Sequence, residues 1–390
     1  MTTPAHCYLP YPDAPVASGD GPLADLEFSV KDIFDLAGYP TGCGNPHALA
    51  RSGIKTTTAP TVQRLLDSGA RFTGKTLTDE LAFSMNGKNA HFGTPRNGAA
   101  PTRIPGGSSS GSASAVSNRL CDFAIGTDTG GSVRAPASHC GLIGLRPTHA
   151  RISLEGCMPL APSFDTCGWF AREIDLFARV GEVLLGEDSM PLPASPRLLL
   201  AADVMEQVTV SARATTAELL GQLAAAFDTG LEPVASALLP ANELYWAFRH
   251  IQGIEAWQSQ GEFLCRHDVQ LGPGVKERFA WSSTLDEEQV APYRTIRAEF
   301  SRRFDELLGH DGVLVMPTMP DVAPLLSSDE ATLEDYRNQS IRMICLAGLA
   351  GCPQISLPLM QLSGAPLGLS LIGPRGSDQS LIALARRFTA

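Results

Sequence analysis

The sequence predicts one α/β domain, a mixed central sheet covered by helices on both faces. Three observations carry this. Strand patterns alternate with helical patterns at both ends of the chain. No linker composition separates those ends. With 44% hydrophobic and 18% charged residues, 390 residues can bury a large core. The expected organisation is a single domain over 1–390. Residues 23–180 form its main part, 185–310 a variable helical insert, and 311–390 return to complete the core.

Residues 1–22 are rich in Pro and Gly and read as extended chain. Leu26–Val30 alternates with period two and reads as a strand ending near Lys31. Ala59-Pro60 opens a helix carrying Val62, Leu65 and Leu66, and Gly69 closes it. Residues 70–73 form a short strand. Thr78 reads as the N-cap of a helix through Leu81 and Phe83. Residues 86–112 are a long loop, 111–118 a helix-compatible run of small residues, and 121–126 a buried strand. Amphipathic helices are expected at Ala214–Phe227 and Glu288–Leu308. Strands return at 313–316, 354–357 and 367–372, and a helix over Asp378–Phe388 closes the chain. No charged residue lies between Arg342 and Arg375, a span long enough for a bilayer. Pro353, Pro358 and Pro366 interrupt it, so buried strands are the better reading.

The net charge is −11, which gives no general attraction for nucleic acid or anionic lipid. The nine Cys are odd in number and lack C-x-x-C spacing, which favours reduced thiols in a cytoplasm over a disulfide framework. The first residues lack a basic and an apolar region, so no secretory leader is expected. The eight His form no ligand-spaced pair, and no metal or cofactor is expected.

Three motif matches fail on context. Gly69–Thr76 fits the phosphate-loop pattern, but a helix precedes it and Arg71 and Phe72 crowd the loop. Gly107-Ser108-Ser109-Ser110-Gly111 fits the nucleophile elbow, yet no strand runs into it. Ser52-Gly53-Ile54-Lys55 lacks the companion motifs of penicillin-binding enzymes. His139, beside Cys140, reads as structural.

Two Gly/Ser loops remain, Pro105–Ser112 and Gly126–Arg134. Gly130 and Gly131 leave the backbone bare, so successive N–H groups can face one concavity and hold an oxyanion. Ser132, directly after this nest, is the candidate nucleophile and needs a base. Lys31 can serve if burial makes it neutral, with Ser108 as proton relay.

These residues resemble the amidase signature family, Ser–cis-Ser–Lys amidohydrolases. The order Lys31, Gly106-Gly107-Ser108-Ser109-Ser110-Gly111 and Gly126-Thr127-Asp128-Thr129-Gly130-Gly131-Ser132-Val133-Arg134 carries the likeness. Gly141–Thr148, Ser163–Thr166, Ala350–Gln354 and Pro366–Leu369 extend it over 23–180 and 310–390. The resemblance implies Lys31 as base, Ser108 as relay after a cis peptide bond, and Ser132 as nucleophile. Thr129, Gly130, Gly131 and Ser132 would supply oxyanion amides, while Asp128, Arg134 and Ser109 support the loops. Met85, Asn86, Gly87 and Phe164 would line the substrate pocket. The segments 85–95 and 32–35 resemble the short plant indole-3-acetamide hydrolases and their bacterial relatives. Lys88 and Gly98 depart from them, where those proteins carry an acidic residue and Pro, at the expected pocket rim. The implied partner is a small-molecule amide, with no nucleic acid and no membrane; a homodimer stays open. Two other classes are weighed. One is an amidotransferase subunit passing ammonia to a tRNA-dependent partner. The other is a non-catalytic amidase-like docking protein.

Overall fold

The structure, a computed structural model, describes residues 5–227, 230–234 and 240–389. Its frame is a ten-stranded sheet: β1 (Glu27–Lys31), β2 (Arg71–Thr76), β3 (Phe123–Thr127), β4 (Ile143–Arg146), β5 (Cys167–Ala171), β6 (Arg197–Ala201), β7 (Leu231–Val234), β8 (Gly312–Pro317), β9 (Gln354–Leu362) and β10 (Ala365–Ile372). The order is β2-β1-β3-β5-β4-β9-β10-β8-β6-β7. Parallel pairs lie at both ends, β2/β1/β3 and β8/β6/β7, and antiparallel pairs fill the centre. This is the mixed sheet the sequence predicts.

Strand alternation builds a separate apolar layer on each face. On β5, Trp169 stacks on Phe177 of the helix Ile174–Leu185, with ring centroids 4.6 Å apart. Its neighbour Phe170 points the other way, into a cluster with Ala113, Ala115 and Ala137 from the helices Ser110–Ser117 and Arg134–Cys140 and with Val133, which precedes the second. Those helices carry small residues because they lie hard against the sheet. A Cβ on Gly111 would sit 2.5 Å from the Leu77 backbone.

Three expectations change. The middle segment 185–310 is not purely helical, because β6 and β7 extend the sheet from it. Leu198-Leu199-Leu200 is a short apolar run of the kind that periodicity cannot assign, and Pro233 suits β7 to the sheet edge, where no ladder donor is needed. The helix expected after Thr78 shrinks to a 3₁₀ turn, Glu80–Ala82, with Leu81 and Ala82 at φ 48° and 57°. Thr78 Oγ1 donates instead to the Ser108 carbonyl at 3.0 Å, so the chain is held to the first Gly/Ser loop. The uncharged span 343–374 is strand only in its second part. Its first part is the buried end of the helix Glu330–Ala350. Among the described residues no helix is long and apolar enough to cross a membrane.

Trp169→Ala removes a fully buried ring and the hydrogen bond from its Nε1 to Phe177 O at 3.1 Å. The variant should lose about 3–5 kcal/mol in urea denaturation. A midpoint within error of wild type would contradict this packing.

Candidate active site

β1 and β3 are parallel neighbours with Val30 opposite Ile125, so both end at the same rim of the sheet. The crevice outside strand C-termini is where open α/β sheets bind ligands. Lys31 is the last residue of β1 and Thr127 the last of β3. The Lys31 ammonium donates to Thr127 Oγ1 and to Ser108 Oγ, each at 2.8 Å. Lys31 is fully buried, and among the described residues it forms no ion pair with a carboxylate. Burial lowers it to about 8, and the more distant carboxylates of Asp79, Asp128 and Asp165 oppose this only in part. Lys75 is the contrast. It is equally buried, but its Nζ lies 3.0 Å from Asp32 Oδ1 and it donates to the Phe34 carbonyl. The phosphate-loop match is therefore the strand β2 with its lysine bound in a structural ion pair.

The peptide bond between Gly107 and Ser108 is cis. The Ser108 carbonyl accepts from Asp79 N and Thr78 Oγ1 at 3.0 Å. Asp79 Oδ2 accepts from Gly87 N, and its carboxyl packs so tightly on Gly107 that a Cβ there would lie 2.2 Å from Oδ2. Ser109 joins the two loops. Its N donates to Ser132 O at 3.3 Å, its Oγ donates to Thr127 O, and Thr127 N donates back to that Oγ. Ser108 and Ser132 thus lie on adjoining backbone. Among the described residues no direct hydrogen bond links their hydroxyls.

Asp128 organises the second loop. Its carboxylate accepts from the backbone N of Gly131, Val133 and Arg134 and from the Arg134 guanidinium, at 2.7 to 3.2 Å. Arg146 adds an ion pair at 3.3 Å. Burial alone would raise the Asp128 carboxyl, but Arg134 and Arg146 hold it well below the usual carboxylate range. Arg134 also donates to Ile344 O and Gln354 Oε1, tying the loop to the helix Glu330–Ala350 and to β9. One expectation is corrected here. The Gly131 N–H is taken by Asp128 Oδ1 and does not face a substrate. The N–H groups of Thr129, Gly130 and Ser132 have no hydrogen-bond partner among the described residues.

Gly130 and Ser132 open on a narrow cavity of about 10 Å³ walled by Phe83, Met85, Phe248, Gln252, Arg337 and Ile341. Ala82 is shared with a second cavity, about 220 Å³, bordered by Thr127, Thr129 and Met158. Ser84 is shared with a cleft of about 790 Å³ that Asn86, Lys88, Arg249 and Arg278 line. Of the expected pocket residues, Met85 lines the Ser132 cavity and Asn86 the large cleft. Gly87 lines neither, and its N–H donates to Asp79. Phe164 is fully buried behind the site, its ring 4.9 Å from Phe248 and its carbonyl bonded to Arg146. Lys88 is at the cleft rim as expected. Gly98 is not, since it packs against Ser117. His139 is buried, bonded to Tyr336 Oη at 2.9 Å and lowered to about 3 by burial, so it is structural. No group of three or more His, Cys, Asp or Glu among the described residues is placed to hold a metal ion.

Sequence reading missed Thr127, Arg146, Gln252 and Arg337. The first two sit inside quoted segments, and their roles show only once strand register is known. Gln252 and Arg337 lie in helices whose sequence carries no site signature.

The fold and the paired Gly/Ser loops are those of an amidase, and a family model described as Amidase matches residues 12–232 and 266–382. The chain belongs to the amidase family. It is 37% identical over 407 residues to Amidase 1 of Arabidopsis thaliana, covering 97% of this chain and 96% of that protein. It is 36% identical to Amidase 1 of Oryza sativa subsp. japonica, over 94% and 91% of the two chains. A crystal structure of an amidase superposes with a TM-score of 0.85 at 31% identity, over 95% of this chain and 85% of that one.

Asp128→Asn should cost about 3–5 kcal/mol, because it leaves two buried guanidinium groups without their counter-charge. The midpoint of chemical denaturation reads this directly. An unchanged midpoint would remove Asp128 as the brace of the loop.

Proposed function

We propose that the protein hydrolyses the C–N bond of a small carboxylic acid amide, through an acyl-enzyme on Ser132. The observation that carries the reading is the buried, carboxylate-free Lys31 in contact with Ser108 at the mouth of an unoccupied set of backbone donors. Neutral Lys31 takes the Ser132 proton through Ser108 as Ser132 Oγ attacks the carbonyl carbon. Negative charge on the carbonyl oxygen develops against the N–H groups of Thr129, Gly130 and Ser132, which need no reorganisation to receive it. The protonated lysine returns the proton to the departing nitrogen, and ammonia leaves from a primary amide. Water then enters by the reverse relay and releases the acid.

The Ser108–Ser132 step requires the two hydroxyls to close together. Catalytic hydrogen bonds are often loose before substrate binds. The narrow cavity over Ser132 favours a slim group at the reacting carbon, with the rest of the acyl moiety in one of the adjoining cavities. All nine cysteines are free, which fits a reducing compartment, and we place the protein in the cytoplasm.

Ammonia release from indole-3-acetamide, phenylacetamide, benzamide, short aliphatic amides, malonamate and glutamine tests the reading. Ser132→Ala should abolish it, and Lys31→Ala should lower it by about 10²–10⁴-fold. Full activity in Lys31→Ala would sink the mechanism. Silence of folded wild-type protein across the panel would sink the primary-amide assignment.

The pH profile follows from the base. The active form is neutral Lys31, so kcat/KM should rise with pH by about tenfold per unit and level above about 8. A rate that falls on raising the pH from 6 to 8 would contradict a lysine base.

A further inference from the structure

Arg337 is a charge without an adequate partner, placed beside the candidate nucleophile. It projects from the helix Glu330–Ala350 and is 3% exposed. It walls the same cavity as Gly130 and Ser132. Its Nη1 donates to Glu334 Oε1 at 3.1 Å, but its Nε is buried with no hydrogen-bond partner among the described residues. A buried guanidinium donor left unpaired is costly.

Glu334 does not neutralise the region. Its carboxylate is 42% exposed and serves three arginines, Arg337, Arg278 at 3.4 Å and Arg249 at 3.9 Å. Three guanidinium groups therefore share one half-solvated carboxylate. Glu277 and Glu330 line the adjoining cleft, and neither pairs with Arg337 among the described residues. Burial lowers Arg337 to about 9, and the charges of Arg278 and Arg249 push the same way.

We propose that Arg337 recognises an anion and that the substrate is an amide whose acyl chain carries a carboxylate. The inference rests on the amide-hydrolysis reading and names its substrate class. A substrate carboxylate would satisfy Nε and relieve the repulsion among the three arginines. The guanidinium fork matches a carboxylate in geometry as well as charge. Arg337 and Ser132 wall the same cavity, which at about 10 Å³ holds no more than a water and must widen toward the cleft with which it shares Ser84 before the molecule can span them. A neutral amide of equal length leaves Nε unpaired, which is the situation a polar site rejects most strongly.

The test uses matched pairs: malonamate, succinamate and glutaramate against propanamide, butanamide and pentanamide. Binding is measured by calorimetry on Ser132→Ala protein, so it does not depend on turnover. At least one anionic member should bind about tenfold or more tighter than its neutral counterpart. Adding Arg337→Gln should erase that difference, and Arg337→Lys should keep part of it. In active enzyme the loss for the anionic member should appear in KM more than in kcat. Neutral amides binding as tightly across the series would overturn the proposal, whether or not Arg337→Gln folds. So would a folded Arg337→Gln protein that keeps the preference. Anion binding without ammonia release would leave the subsite standing and remove the hydrolase reading instead.

Discussion

The Asp128 carboxylate is the constraint on which the site depends. It is buried among two guanidinium groups and three backbone N–H groups, so it is held ionised where an isolated carboxylate would not be. Its pull on residues 131–134 turns the backbone after β3 into a tight arc. That arc aims the Ser132 hydroxyl and the neighbouring amides at one point. Arg134, gripped by Asp128, extends the same network to Ile344 and Gln354. Removing any member leaves the others buried without compensation, so the network is cooperative rather than a sum of pairs.

Two lysines show how the sheet sorts identical side chains. Lys31 and Lys75 sit on adjacent strands and both are buried, but Asp32 is turned to Lys75 alone. Lys75 becomes part of the scaffold. Lys31 meets only hydroxyls, and so can lose its proton near neutrality. The difference comes from one residue of register, which reverses the direction of a side chain on a strand.

Much of the site was legible because its chemistry is local. The two loops, their glycines, Ser108, Ser132, Asp128 and Arg134 stand within a short span, and Lys31 ends a recognisable strand. The misses have physical causes. Gly131 was assigned a donor role that Asp128 consumes, a choice made by a side-chain rotamer. Phe164 and Gly87 follow the family order but line none of the three cavities. The helix after Thr78 lost to a competing use of Thr78 and Asp79 in holding the first loop. β6 and β7 were hidden because short apolar runs and a Pro-bearing edge strand carry no period. Arg337 and Gln252 come from helices that bring distant sequence to Ser132, and nothing local marks them.

The strand order has a consequence for synthesis of the chain. β9 and β10 lie in the middle of the sheet, between β4 and β8, though they are made after all the other strands. Until residues 354–372 have left the ribosome, the growing chain holds two half-sheets with bare edges. Both edges expose unpaired backbone groups ready to pair with a neighbour. The arginine that secures the nucleophile loop likewise waits for Gln354. Translation therefore finishes the keystone last, and a nascent chain stalled before β9 would have the loop residues but not the frame that shapes them. Shielding of that open seam by a chaperone is the natural demand of this topology.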